Sequence, residues 1–297
     1  MPRRAFCVLP LAALAVGLSP FAAKQPSEGR IAFVSSREGR YAIYLMAEDG
    51  TDQTRLTSDR AEEFHPAWSP DGTRIAFTRA VSFRNTDVWV VNADGSGARD
   101  LTPGPAVDGF PAWSPDGSKL AFASKRAGTS DIYVMNADGT GVQRLTHGPE
   151  ADDSPAWSPD GSKIAFVRLR SDFEIYVMNA DGTGQRRLTH SPGGNDSPAW
   201  SPDGTKIAFT SDRSGNDEIY VMNADGTGAR RLAWSPQTID DQPSWSPDGT
   251  TIAFARGLRP PGQNQIYVMR SDGSELRRLT YDGADDVEPD WQPLATR

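Results

Sequence analysis

The chain has almost no cysteine: one in 297 residues, Cys7, close to the N-terminus. Disulfides and cysteine metal sites are therefore excluded from everything beyond that segment. Histidine is nearly as scarce, with His65, His147 and His190 the three copies. Two of them follow a Leu-Thr pair at equivalent points of a repeat, which marks them as loop residues. No Gly-x-Ser-x-Gly, phosphate loop or His-Glu-x-x-His occurs, so nucleophile-elbow hydrolases, P-loop enzymes and zincins are not indicated. No Asp-x-Asp-x-Asp-Gly spacing appears either. Basic charge is in deficit, with a formal net charge of −8. That balance is a poor fit to nucleic acid or to an anionic membrane surface. No stretch shows a helical 3.6-residue period.

The single long apolar run is Ala5 to Leu18, behind Arg3 and Arg4. This is the pattern of a secretory signal and is short for a bilayer span. Residues 1–23 are expected to be a signal peptide, cleaved or retained as an anchor, and 24–29 a polar linker. A periplasmic or secreted protein with no membrane span after cleavage follows. An exported chain without disulfides relies on its core, and some 270 residues in one ring suffice.

What is abundant is repetition. Trp68, Trp113, Trp157, Trp200, Trp245 and Trp291 each follow Pro-x, at separations of 45, 44, 43, 45 and 46 residues. A period near 40–45 suits one four-stranded propeller blade. In the unit around Trp157, prolines bracket a short strand, which suits an edge facing a central channel. Pro159-Asp160-Gly161 is a tight turn. Lys163–Val167 alternates polar and apolar, and Glu174–Met178 is β-branched and aromatic. Asn-Ala-Asp-Gly makes the next turn, and Arg186–Thr189 the outer strand. The Ile-Ala-Phe-type strand occurs six times, ending at Phe33, Phe77, Phe122, Phe166, Phe209 and Phe254. The first unit has no Trp strand before it, and the last Trp has no unit after it. The reading is an all-β, six-bladed β-propeller over residues 30–297. Its four-stranded antiparallel blades are closed by the C-terminal strand joining the first blade.

The six tryptophans are read as packing between blades. The turn aspartates (Asp71, Asp116, Asp160, Asp203, Asp248) are read as structural acceptors. Just before each Pro-x-Trp lies an acidic cluster: Glu62 and Glu63, Asp108, Asp152 and Asp153, Asn195 and Asp196, Asp240 and Asp241, Asp285 and Asp286. These are expected around one mouth of the channel. One arginine per blade emerges on the same face: Arg37, Arg79, Arg126, Arg168, Arg213 and Arg256. The favoured expectation is an inter-blade Asp–Arg network, and the alternatives are a hard cation such as calcium, or a partner. No catalytic residue is assigned. Variable loops after the second strand offer Phe83, Arg84, Phe173, Leu258 and Arg259 as partner contacts.

The Trp-Ser-Pro-Asp-Gly words at Trp68, Trp113, Trp157, Trp200 and Trp245, with Pro289-Asp290-Trp291, resemble the β-propeller of the TolB family from about Arg30 to Pro293. That family places an α/β domain ahead of its propeller, for which this sequence has no room. The resemblance implies an envelope protein-binding or scaffold role, with a peptidoglycan-associated lipoprotein as one partner; the chain itself is expected to be a monomer. The competing expectation is a propeller-type polysaccharide lyase or glycosidase with a metal at the channel mouth.

Overall fold

The computed structural model describes residues 29–58, 61–82, 84–258 and 263–293. The expected signal peptide, Phe83 and Arg259 lie outside the described residues. Six four-stranded antiparallel sheets make up the fold. Blade 4 shows the plan: inner strand Ala151–Trp157, second strand Lys163–Leu169, third strand Phe173–Asn179 and outer strand Arg186–Arg187. Blade 1 takes its inner strand, Asp286–Trp291, from the far end of the chain and pairs it with Arg30–Ser35. Trp291 stands opposite Ile31, and Asp286 opposite Ser35. Gln292 adds a backbone bond to the Arg30 carbonyl at 2.8 Å. The ring is closed as the missing first tryptophan strand requires.

The core lies between blades. Ile31, Phe33 and Tyr44 of blade 1 pack with Ala253, Ile266 and Val268 of blade 6 and with Trp291. All six second-strand phenylalanines are fully buried. Each second and third strand is covered on both faces by neighbouring blades, so its residues are apolar in near-continuous runs. The tryptophans are blade spacers: Trp113 Nε1 donates to the Ala67 carbonyl of the preceding blade at 3.1 Å, and Trp200 to Ala156 at 3.2 Å.

The turns of the opposite face are self-contained. The Asp160 carboxylate accepts from Ser158 Oγ at 2.6 Å and from the Ser162 amide at 3.0 Å. These bonds to the charged form hold its pKa at about 2. Gly182, at φ 87°, is required twice over, because a Cβ there would also lie 2.8 Å from the Leu145 carbonyl oxygen.

Candidate functional site: the channel and its mouth

Every inner strand carries the same irregularity. The residue three before each tryptophan adopts positive φ: His65, Phe110, Ser154, Ser197, Gln242 and Glu288, between 52° and 59°. At that point the pairing with the second strand slips by one residue, as between Asp153 and Ala156 in blade 4. This is a β-bulge, and the proline that follows has no N–H to lose from the ladder. Left-handed backbone at a non-glycine residue costs roughly 1–2 kcal/mol, and the fold accepts it six times. The bulge re-aims side chains, placing the six bulged residues around the channel.

The freed amides find side-chain acceptors, often across a blade boundary. The His65 amide donates to the Glu288 carboxylate, and the Glu288 amide to Gln242 Oε1 at 3.1 Å. The Phe110 amide donates to Thr78 Oγ1 at 3.1 Å. The Gln242 amide reaches Asp241 Oδ1 at 2.7 Å and Thr210 Oγ1 at 3.2 Å. The Ser197 amide takes Asp196 Oδ1 at 2.5 Å.

Strand alternation divides each pair of neighbouring acids, and the bulge follows both of them. Residues five before the tryptophan point into their own blade: Glu63, Asp108, Asp152, Asp240 and Asp286 are at most 1% exposed. They are not a free ring at the mouth, which corrects the expectation for these five. Each meets an arginine of the same blade, because acid and arginine are on paired strands. The network is therefore within blades rather than between them. Two versions alternate around the ring. In blades 2, 4 and 6 the arginine stands directly opposite the acid: Arg79 with Glu63, Arg168 with Asp152, Arg256 with Asp240. Arg168 grips Asp152 through two bonds of 2.6 and 2.7 Å. In blades 1, 3 and 5 a serine takes that place, and the arginine two residues later donates to it. Arg126 Nε reaches Ser124 Oγ at 2.8 Å while its other arm reaches Asp108 at 2.9 Å. Arg37 does the same with Ser35 and Asp286. Arg213 meets Ser211 and, with no acid available, Asn195 Oδ1 at 2.5 Å. All six guanidinium groups lie over their blade's second-strand phenylalanine, for example Arg168 at 5.3 Å from the Phe166 centroid.

Asp153, Asp196 and Asp241, one residue later, line a channel cavity of about 670 Å³ together with Glu288 and Asp290. Burial raises the carboxyls of all three aspartates, Asp241 to about 6, against the bonds from Thr210 and the Gln242 amide. Asp290, likewise raised to about 6 by burial, accepts from the Trp68 amide at 2.8 Å and from Ser244 Oγ at 3.3 Å. It ties blades 2 and 6 to the closing strand. Asp285 sits above, held by Tyr41 Oη at 2.7 Å and the Asn264 amide at 2.8 Å. Facing the acidic arc, the His65 ring stacks on Phe110 at 3.8 Å between centroids, with its Nε2 3.3 Å from Glu288. The lining contains no lysine or arginine.

Among the variable-loop residues, Phe173 lines this cavity while 44% exposed, and Leu258 is 64% exposed. Arg84 lines a separate hollow with Arg40 and Glu62. His147 and His190 are exposed loop residues, and Trp234 is 62% exposed. The serines of the alternating pairs and the channel pair His65–Phe110 were not singled out from sequence. The signal for the serines was present in Ser35-Ser36-Arg37, Ser124-Lys125-Arg126 and Ser211-Asp212-Arg213. Among the described residues no group of three or more His, Cys, Asp or Glu is arranged to hold a metal ion.

Fold and channel define the class: a closed six-bladed β-propeller in which every inner strand is bulged toward a narrow acidic channel. More particularly, it resembles the propellers of TolB proteins. Residues 149–257 match the TolB beta propeller domain, and residues 79–174 the Tricorn protease N-terminal beta propeller domain. A Protein TolB homolog of Chlorobium luteolum is 41% identical over 66 residues, 22% of this chain and 15% of that protein. A Tol-Pal system protein TolB of Geobacter metallireducens is 46% identical over 50 residues, 17% of this chain and 12% of that one. The matched stretches thus span a small part of those relatives. The structure of TolB from Acinetobacter baumannii superposes with a TM-score of 0.80 at 26% identity, covering 91% of this chain and 68% of that one. A chain of a nidogen/laminin complex reaches a TM-score of 0.74 at 10% identity, covering 90% of this chain and all of that one, a likeness of fold alone.

Proposed function

We propose that the protein is an exported, non-enzymatic scaffold of the cell envelope that docks a protein partner on the face carrying the channel mouth. The observation that carries this reading is the mouth itself: a cavity of about 670 Å³ with Phe173 exposed at its edge. An exposed aromatic side chain beside a concave hollow suits an interface hot spot. Many of the repeated carboxylates that could have served a glycosidase or lyase are engaged within the fold: Asp152 is sealed against arginine, Asp196 and Asp241 cap bulge amides, and Asp153 accepts from Ser130. The reading requires no cofactor. The likeness to Tol-Pal system proteins supports an envelope partner and suggests a peptidoglycan-associated lipoprotein, with the chain acting as a monomer in the periplasm. No helix of the described residues is long and apolar enough to cross a membrane.

The test is binding of the peptidoglycan-associated lipoprotein from the same organism, measured by calorimetry with the propeller and with Phe173→Ser and Leu258→Ser. Binding by the parent chain, weakened at least tenfold in Phe173→Ser with unchanged melting, supports the reading. Metal-dependent turnover of an acidic polysaccharide, abolished by Asp241→Ala, would establish the enzyme alternative instead.

A further inference from the structure

A second repeating ion pair holds the outer edge of the blades, and blade 2 breaks it. In five blades the second residue of the outer strand is arginine: Arg55, Arg144, Arg187, Arg231 and Arg278. It stands opposite the third-strand tyrosine and reaches the polar residue two positions earlier on that strand. Arg144 meets Asp131 at 2.7 Å, Arg231 meets Glu218 at 3.1 Å, and Arg187 meets Glu174. Arg278 donates to Gln265 Oε1 at 2.7 Å. In blade 1 the third-strand position is Ala42, and Arg55 turns to Glu38 of the adjoining loop at 2.5 Å. In blade 2 (Glu63–Trp68, Arg74–Ser82, Asn85–Asn92, Arg99–Asp100) the outer residue is Asp100, opposite Trp89, and the third-strand residue is Asp87. Acid faces acid within hydrogen-bond reach.

The surroundings do not replace the missing cation. Asp87 is 3% exposed, and its Oδ1 has no hydrogen-bond partner. Asp108, starting the inner strand of blade 3, is 1% exposed and adds negative charge from the other side. One of its oxygens takes Arg126 and the other, Oδ1, has no partner. Arg79, on the second strand, acts on Asp100 from a distance while bonded to Glu63. In the intact blades the arginine stays 28–36% exposed over a carboxylate that is at most 6% exposed. The guanidinium position is thus open to solvent, with the acid sealed behind it.

We propose that blade 2 binds a guanidinium supplied from outside the chain, the side chain of an arginine on a protein partner, where the sister blades use their own. The fork of a guanidinium matches paired carboxylates in a way that a lysine ammonium does not. A metal ion is disfavoured because the carboxylates here do not form a metal-holding group. Unoccupied, the buried Asp87 carboxyl and the half-buried Asp100 beside it favour holding a proton between them, since adjacent carboxylates shielded from water resist both ionising. The arriving cation displaces that proton to solvent, less than one per arginine bound at pH 7, leaving both carboxylates charged.

Acetyl-Gly-Arg-Gly-amide is titrated into the propeller at pH 7 in two buffers of different ionisation enthalpy, with acetyl-Gly-Gln-Gly-amide as control. Saturable binding with proton release, absent for the glutamine peptide, lost in Asp100→Arg and at least tenfold weaker in Asp87→Asn, supports the proposal. Asp100→Arg installs the repeat's own pair and is expected to melt no lower than the parent, so its loss of binding is not a loss of fold. No binding up to about 10 mM peptide, or equal binding by Asp100→Arg, overturns it, as does a site that only titrates. The assay reads blade 2 alone, so its failure leaves mouth docking standing, and failure at the mouth leaves this proposal standing.

Discussion

Replacing Trp291 by alanine tests closure of the ring. The side chain is 8% exposed and packs on Ile266, Val268 and Leu279 of blade 6 while its strand pairs with Ile31 and Ala32. A buried tryptophan covers roughly 200 Å², worth about 5 kcal/mol at 25 cal/mol per Å². Measured Trp→Ala changes of about 3–5 kcal/mol bracket that figure. The loss falls on the one blade assembled from the two ends of the described chain, whose inner strand joins the last unit to the first. Native state and closing contact should therefore weaken together. The expected result in urea is a midpoint shift equivalent to about 3–5 kcal/mol with little change in slope. Ending the chain at residue 285 removes the whole strand and should cost more. The same chain with Trp234→Ala, at a 62% exposed site, is the control and should shift by less than about 0.5 kcal/mol. If Trp291→Ala and Trp234→Ala unfold alike, or the shortened chain melts with the full one, the closing strand does not hold the ring and the channel argument fails.

Breaking one in-blade pair should be costly. Arg168→Met strands Asp152, 1% exposed, and is expected to lose about 3–5 kcal/mol in urea unfolding, with Asp152→Leu in the same chain restoring most of it. The blade 2 acids impose a pH dependence. Burial and Asp100 raise Asp87 to about 7 from 3.8, so the folded state binds more protons than the unfolded one between those values. Stability should accordingly fall as pH rises from about 4 to 7 and level off above, by roughly 4 kcal/mol at most. Asp100→Arg should flatten that part of the curve, and an unchanged difference between pH 4.5 and 7.5 would refute the assignment. At the bulges, Ser197→Val puts a β-branched side chain at φ 52° and should cost about 1–2 kcal/mol by melting, while Ser197→Asn should be close to neutral.

Much of the candidate site was legible as membership and little as placement. The acids before each Pro-x-Trp and the arginine after each second strand were visible as repeats. Which of two adjacent acids faces the channel was not. Asp152 and Asp153 differ by one position, and in an unbroken strand they would point to opposite faces. The bulge at Ser154 is a tertiary compromise, with its amide answered by neighbours and its strain absorbed by the ring. Asp100, the odd member of a set of outer-strand arginines, was not singled out from sequence. Its meaning depends on Asp87 and Asp108, which other strands bring beside it.

The sequence by itself determined the period, the number of blades, the turn chemistry and the need for tail to meet head. Those follow from local φ preferences, strand alternation and an unmatched tryptophan at the end of the count. Only the tertiary structure decided that the acid–arginine pairs are sealed inside blades and that the channel is acidic on one side and aromatic on the other. Those depend on a one-residue slip in register and on charges brought together from distant parts of the chain, for which no local pattern carries a signal.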